Sequence, residues 1–470
     1  MSLVNNDIKL FFSKVSEGNT SGMSVYFLGI GGIGMSALAR YFHSRGLKVS
    51  GYDKTETSLT KQLLAEGISV HYDDDVQFVD QNASLVIYTP AIPSNHQELN
   101  YIRNNAYPLL KRSEVLGLIT ESAFNLCVAG THGKTTTSTM IAHILRHTGY
   151  GCNAFLGGIA SNYNTNFWTS EKNVCVAEAD EYDRSFLKLS PDIAVVTAMD
   201  PDHLDIYGTA EEFKTAFIAF TRKVKLGGLL VAKHGLLNKE DYENTRVVTY
   251  SLEDEAADAY AKNIRIESGA YRFDLCIGKE TIADFKLNMG GLHNIENAIA
   301  AIVSVRQLGI EDEFIKEAVA AFKGVKRRFE YIIKTENLVM IDDYAHHPQE
   351  LEALIDSVKG LFPQKRCTMV FQPHLYSRTR DFAEGFSNVL KKNDKLFLLP
   401  IYPARELPIE GVNSEMLVQD SLKDKATCVS KEAFLDALKK EQNPELLIMA
   451  GAGDIDAMVE PVKQILMSKA

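Results

Sequence analysis

Leu126-Cys127-Val128-Ala129-Gly130-Thr131-His132-Gly133-Lys134-Thr135-Thr136-Thr137 decides how the chain is read. Its first four residues are a short apolar run, and beyond it Met140, Ile141, Ile144 and Leu145 recur at helical spacing. Strand, glycine loop and helix in that order make a phosphate cradle. Backbone N–H groups of the loop converge on an anion, the helix N-terminus adds partial positive charge, Lys134 reaches the outer phosphates, and the Thr135 hydroxyl is offered to Mg²⁺. The common form of this loop has a glycine where this chain has Val128. Here the first glycine is Gly130, so the loop is two residues shorter. The alternative, a glycine-rich turn with a solvated lysine, does not account for the Gly-Lys-Thr-Thr-Thr run between a strand and a helix.

Upstream, Ser24-Val25-Tyr26-Phe27-Leu28 reads as a buried strand feeding Gly29-Ile30-Gly31-Gly32-Ile33-Gly34-Met35-Ser36, followed by a helical stripe of Ala37, Leu38, Tyr41 and Phe42. This is a G-x-G-x-x-G pattern. The next strand, Lys48 to Tyr52, ends at Asp53, where a dinucleotide fold places its ribose acid. Alone, this favours a nicotinamide or flavin enzyme. The alternative is a Rossmann-type domain that holds another nucleotide diphosphate on the same helix terminus. A strand over Ala83 to Tyr88 is ended by Pro90 and Pro93, and the first domain closes near Leu118.

Downstream of the phosphate loop, a polar loop is expected over Ser161 to Asn166, then a strand, Asn173 to Ala177, running into Glu178-Ala179-Asp180-Glu181. A carboxylate at the C-terminal end of a buried strand is where a nucleotide enzyme holds its metal, which suits Glu178. Asp180 and Glu181 read as a solvated rim. A second strand, Ile193 to Thr197, leads to Asp200-Pro201-Asp202-His203-Leu204-Asp205, and His203 is a further candidate near the metal, although Mg²⁺ prefers oxygen. Short alternating runs between Arg246 and Leu287 suggest antiparallel strands or a small flap. A helix over Ala298 to Leu308 follows. His293 and Asn297 share a face if it starts early, with Asn294 as a capping residue.

After Lys326-Arg327-Arg328-Phe329-Glu330, strands at 338–341, 368–371, 396–399 and 446–450 alternate with helical stretches, an open α/β sheet. Its polar clusters fall at strand C-termini, where such sheets bind ligands: Asp342 to Pro348, Gln372 to Arg380, and Gly451 to Asp454. The fold class is therefore α/β in three domains: a Rossmann-like domain over 1–118, a central P-loop domain over 119–325, and a Rossmann-like open sheet over 326–470.

Bulk properties agree. A chain of 470 residues exceeds one core, and 45% apolar with 24% charged residues is ordinary for a globular protein. A net charge of −11 without a long basic run speaks against nucleic-acid and membrane affinity, so anionic ligands need local basic pockets. The six cysteines show no C-x-x-C spacing and read as reduced core residues, which fits a cytoplasmic protein. The short apolar patch Ile8 to Phe12 is neither a signal core nor a membrane span.

Taken in order, the two glycine loops, Glu178-Ala179-Asp180-Glu181, Asp202-His203-Leu204-Asp205, His293-Asn294-x-x-Asn297, Arg327-Arg328-Phe329, Asp342-Asp343-Tyr344-Ala345-His346-His347-Pro348 and Phe371-Gln372-Pro373-His374 resemble the Mur ligases from about Met23 to Asp454. The resemblance implies an ATP-dependent amide ligase joining L-alanine to UDP-N-acetylmuramate through an acyl phosphate. It also implies Mg²⁺ or Mn²⁺ as cofactor, a place in cytoplasmic peptidoglycan precursor synthesis, and a monomer or weak homodimer. Gly29, Gly31, Gly32, Ile33, Gly34, Met35, Ser36 and Asp53 would hold the UDP sugar. Gly130, Thr131, His132, Gly133, Lys134, Thr135, Thr136, His293, Asn297, Arg328 and Asp343 would hold ATP. Thr135, Glu178 and His203 would hold metal, and Tyr344, His346 and Arg378 would form the amino-acid pocket. Lys134, Glu178, His203 and His346 are the catalytic candidates.

Leu375 stands where many members carry arginine, which leaves more of the amino-acid carboxylate to Arg378. Glu181-Tyr182-Asp183 is also similar to the ligase that attaches a recycled murein tripeptide, a second reading. An NAD-dependent oxidoreductase built on Gly29 to Asp53, and a phosphate-loop switch without ligase chemistry, are more distant alternatives. Lys214 lies too near His203 in sequence to be assigned as a carbamylated metal ligand.

Overall fold

The computed structural model describes residues 2–121, 123–201, 204–242, 245–404, 406–419 and 422–469. Three sheets organise it. The first has five parallel strands in the order Ser69–His71, Lys48–Tyr52, Ser24–Leu28, Leu85–Tyr88, Leu109–Lys111. The order reverses beside Ser24–Leu28, so the crevice at its C-terminal end opens at Gly29, where a doubly wound sheet binds its ligand. All five residues of that strand are buried, as the apolar run Val25-Tyr26-Phe27-Leu28 favours, and the Ser24 hydroxyl donates to Asn82 O at 3.3 Å. The helix Arg112–Glu121 runs through the expected boundary at Leu118 and ends just before the central sheet begins.

The central sheet has ten strands. Phe124–Ala129, the strand that launches the phosphate loop, lies between Val174–Glu178 and Ile193–Val196, both parallel to it. The register places Glu178 opposite Val128 and Val196 opposite Ala129, so both neighbours end beside the root of the loop. The alternating segment after Arg246 does not form a separate flap. Arg246–Tyr250 continues the parallel ladder, and the meander Ala259–Glu267, Ala270–Ile277, Glu280–Leu287 extends the same sheet. At the opposite edge, Asn153–Ala160 and Thr165–Trp168 form a hairpin, so Asn166, expected in a polar loop, is a fully buried strand residue.

The third sheet runs Glu330–Lys334, Val339–Asp343, Leu446–Ala450, Cys367–Phe371, Lys395–Leu398, Ala426–Cys428, with only the first strand antiparallel. Asp343, Phe371 and Ala450 lie in one register, which brings the three expected polar clusters to one end. Five cysteines are buried as expected, whereas Cys428 is exposed. No helix among the described residues is long and apolar enough to cross a membrane.

The first and central sheets share a core, and polar ties cross it. Arg40, on the helix Ile33–Ser44, grips Glu66 through two bonds of 2.7 and 2.8 Å and donates to Asn166 Oδ1 of the central hairpin. Asn166 in turn donates to Ile33 O and, at 3.1 Å, to Ser36 Oγ. The buried charge-assisted bond from Arg40 to Asn166, with the two Asn166 bonds, holds the first glycine loop in a fixed relation to the central sheet.

Candidate functional site

The helix Lys134–His147 opens with Gly133 in the left-handed region at φ 80°, and a Cβ there would lie 2.5 Å from Asn297 Oδ1. Only glycine permits that approach. Asn297 belongs to a helix that starts at Leu292, earlier than the apolar spacing suggests, with Gly291 rather than Asn294 at its N-cap. Asn294 instead donates to Gly290 O at 2.6 Å and accepts from Asn297 at 3.1 Å. The His293 imidazole folds over Gly291, where a Cβ would come within 2.3 Å. Thr197 braces the loop from beneath, donating to Ala129 O at 3.2 Å and to His132 O.

These pieces line a cavity of about 570 Å³ that contains Thr131, His132, Gly133, Lys134, Thr135, Thr136, Glu178, His293, Asn297, Arg328, Asp343, Tyr344 and His346. It therefore gathers nearly every residue assigned to ATP, leaving out only Gly130, which sits at the loop's root with φ +141°. It also takes in two of the three amino-acid candidates. Asp343 is pushed up to about 6 by burial although the Phe329 and Ala345 N–H groups donate to it at 2.6 and 2.7 Å. Those bonds fix the chain where the central and third domains meet.

Glu178 lies on the cavity wall with burial raising its pKa, while Lys134, the Thr135 hydroxyl and Arg328 pull it back. Its Oε2 is buried and has no hydrogen-bond partner. Gly157 faces it so closely that a Cβ would lie 2.2 Å from that oxygen. A buried, unpartnered carboxylate oxygen beside a threonine hydroxyl, with space kept by a glycine, fits a hard divalent cation. His203 lies outside the described residues. Among those described, no group of three or more His, Cys, Asp or Glu gathers as a metal cluster.

Glu181 is not part of a solvated rim: it is 2% exposed and accepts a 2.8 Å bond from Lys134 Nζ. Asp180 pairs with Arg112 at 3.0 Å. Neither partner was legible in sequence, because Arg112 is 68 residues from Asp180.

A second cavity, about 720 Å³, lies at the end of the first sheet and is lined by Gly29, Gly31, Gly32, Met35, Asp53 and His96, among others. Asp53 bonds the loop itself, accepting from Gly31 N at 2.7 Å and Thr55 N at 3.2 Å. A third, about 290 Å³, contains Gly32, Ile33, Gly34, Met35, Arg112, Gly157, Glu178 and Asp180. Ser36 lines neither; its hydroxyl donates to Ile33 O at 2.9 Å and faces the central hairpin. Glu178 lines both this third cavity and the phosphate-loop cavity, so it stands where the two glycine loops communicate.

In the third domain, the His346 ring stands 5.3 Å from that of Tyr344 and 5.8 Å from that of His374, and His374 lies 3.4 Å from Arg378. Tyr402 stacks on His374 at 5.7 Å. His374 thus connects Arg378 to His346 at the cavity edge, and Tyr402, which backs His374, carried no signal in sequence.

Comparison with known proteins bears on the three-sheet architecture. Family models described as "Mur ligase family, catalytic domain", "Mur ligase middle domain" and "Mur ligase, glutamate ligase domain" match residues 24–123, 128–305 and 327–453. The chain is 47% identical over 94% of its length to a UDP-N-acetylmuramate--L-alanine ligase of Porphyromonas gingivalis, covering 99% of that protein. It is 48% identical to another of the same name from Cytophaga hutchinsonii, over 94% of this chain and 96% of that one. The crystal structure of a UDP-N-acetylmuramate-alanine ligase from Thermotoga maritima superposes with a TM-score of 0.80 at 29% identity, covering 95% of this chain and 100% of that one.

Proposed function

The chain belongs to the Mur ligase family, and from that premise we propose that it joins L-alanine to UDP-N-acetylmuramate at the expense of ATP, in peptidoglycan precursor synthesis. The observation that carries this reading is the position of Glu178, shared by the phosphate-loop cavity and by the cavity at the first glycine loop. A carboxylate substrate entering from the first domain meets the outer phosphate of ATP there. Its oxygen attacks the γ-phosphorus, ADP leaves, and the alanine amine then attacks the acyl carbon, releasing phosphate and its own proton.

Bringing two anions together needs local positive charge, which Lys134 and Arg328 supply. Thr135 and Glu178 would hold Mg²⁺, which neutralises developing phosphate charge when bound. Gly133, Asn297 and His293 grip the nucleotide, and Asp343 fixes the segment that carries Arg328. Gly29 to Met35 take the UDP diphosphate on a helix terminus by the same physics that binds a dinucleotide, which removes the need for an oxidoreductase. Tyr344, His346 and Arg378 form the amino-acid pocket, with the Arg378 guanidinium for the carboxylate. The reaction so proposed uses Mg²⁺ and runs in the cytoplasm.

Phosphate release with ATP, Mg²⁺ and UDP-N-acetylmuramate, run with L-alanine, with a murein tripeptide and with neither, tests it. Release that depends on L-alanine is expected. Release only with tripeptide would move the chain to the recycling reaction, and release indifferent to both would leave an ATPase.

A further inference from the structure

Lys134 is the only cation that the phosphate loop itself contributes, and it is already engaged. Its Nζ donates to Glu181 Oε1 at 2.8 Å and to Gly130 O at 2.5 Å. The side chains of the pair are 14% and 3% exposed. An ammonium has three N–H donors, so two are committed and one is left for a nucleotide. Lys134 lines the phosphate-loop cavity whereas Glu181 does not, which puts the carboxylate behind the lysine.

Glu181 is itself held firmly. The Tyr207 hydroxyl, on a side chain 1% exposed, donates to its carbonyl at 2.5 Å, and Arg184 N donates to the same oxygen at 2.9 Å. Asp183 and Arg184 follow in left-handed conformations at φ 57° and 56°, which costs energy in non-glycine residues and turns the chain so that these bonds form. The second carboxylate oxygen, Oε2, is buried without a partner. Burial with one oxygen unsatisfied is an expensive way to anchor a loop.

We propose that Glu181 is a positioning residue and resident counter-ion for Lys134: it occupies the place of an anion behind the lysine, aims the one remaining N–H into the cavity, and competes with the nucleotide's phosphates for its charge. The inference rests on reading the loop as the ATP site. Its consequence has an unusual sign. Removing the carboxylate charge leaves Lys134 uncompensated except by phosphate, so resting nucleotide affinity rises while the lysine loses the aim that serves the transfer step. A purely structural role would loosen nucleotide binding instead.

The test is ADP binding by calorimetry in the presence of a chelator, together with steady-state turnover, for the parent chain, Glu181→Gln and Glu181→Asp. Glu181→Gln keeps an acceptor but not the charge; ADP is expected to bind several-fold tighter and kcat to fall at least about tenfold. Glu181→Asp keeps the charge on a shorter arm, so ADP affinity stays near that of the parent while kcat falls. If Glu181→Gln fails to fold, the Asp variant decides: tighter ADP binding or an unchanged kcat there overturns the inference. ADP binding that Glu181→Gln leaves unchanged or weakens overturns it alone, whereas a parent chain that binds no ADP overturns the nucleotide reading and the inference with it.

Discussion

Gly157→Ala puts the account of Glu178 under direct stress. The added Cβ would lie 2.2 Å from Glu178 Oε2 and 2.5 Å from its Cδ and Oε1, whereas real Cβ contacts essentially never fall under 3.0 Å. The backbone at Gly157 is not left-handed, so alanine itself is tolerated, and what yields is the far end of a flexible side chain. The carboxylate must retreat by close to an ångström. The cost to stability is roughly 1 kcal/mol, the small end of overpacking. The cost to chemistry is much larger, because misplacing a reacting or charge-neutralising group by about 1 Å is worth on the order of 10²-fold in rate. Phosphate release at saturating substrates should therefore fall about 100-fold, with a raised requirement for Mg²⁺, while UDP binding and the melting temperature change little. A variant with near-parental kcat and an unaltered Mg²⁺ requirement would refute the assignment of Glu178.

Lys134→Ala should abolish turnover yet leave calorimetric UDP binding intact, because the proposed UDP and ATP sites lie on different sheets; it should also lower the melting temperature, since Glu181 is left buried and unpaired at a cost of roughly 3–5 kcal/mol. Loss of UDP binding together with turnover would contradict the three-domain assignment. Arg378→Ala should raise the apparent KM for L-alanine selectively, and an equal effect on ATP would undo its role. In the first domain, burial lifts Glu98 from its usual 4.5 to about 7. Below pH 4.5 both states carry the proton; between 4.5 and about 7 the unfolded chain releases it first, so stability falls as pH rises, by up to roughly 3 kcal/mol. Glu98→Gln keeps an acceptor for the Tyr26 hydroxyl, 2.6 Å away, and should flatten that fall between melts at pH 5 and pH 8; an unchanged slope would contradict it.

What sequence made legible follows from locality. Both glycine loops announce themselves because a strand, a turn that needs glycine and a helix stripe lie within about twenty residues, and local sterics dictate each. The place of Glu178 at the C-terminal end of a buried strand was legible because it abuts an apolar run. The shared face of His293 and Asn297 follows from helical geometry once the helix starts at Leu292, but the apolar spacing places that start later. Glu181 was misjudged because four residues rich in acid look like a surface, and only Lys134 and Tyr207, brought in by the fold, make its burial tolerable. Asn166 reads as loop by composition; its partners Arg40 and Ile33 are 126 and 133 residues away. The alternating segment after Arg246 declares antiparallel strands but not the sheet edge they join, which is fixed by the single pairing of Tyr250 with Ala259. Cys428 is exposed because its strand lies at the edge of the third sheet, where apolar character no longer implies burial.

The most direct measurement is the mass of the nucleotide sugar after incubation with ATP, Mg²⁺, UDP-N-acetylmuramate and an equimolar mixture of L-alanine and murein tripeptide. The account predicts a product heavier by one alanyl residue, formed with one ADP per amide and absent when ATP is omitted. A tripeptide adduct in its place, or ATP consumption with no adduct at all, would contradict it.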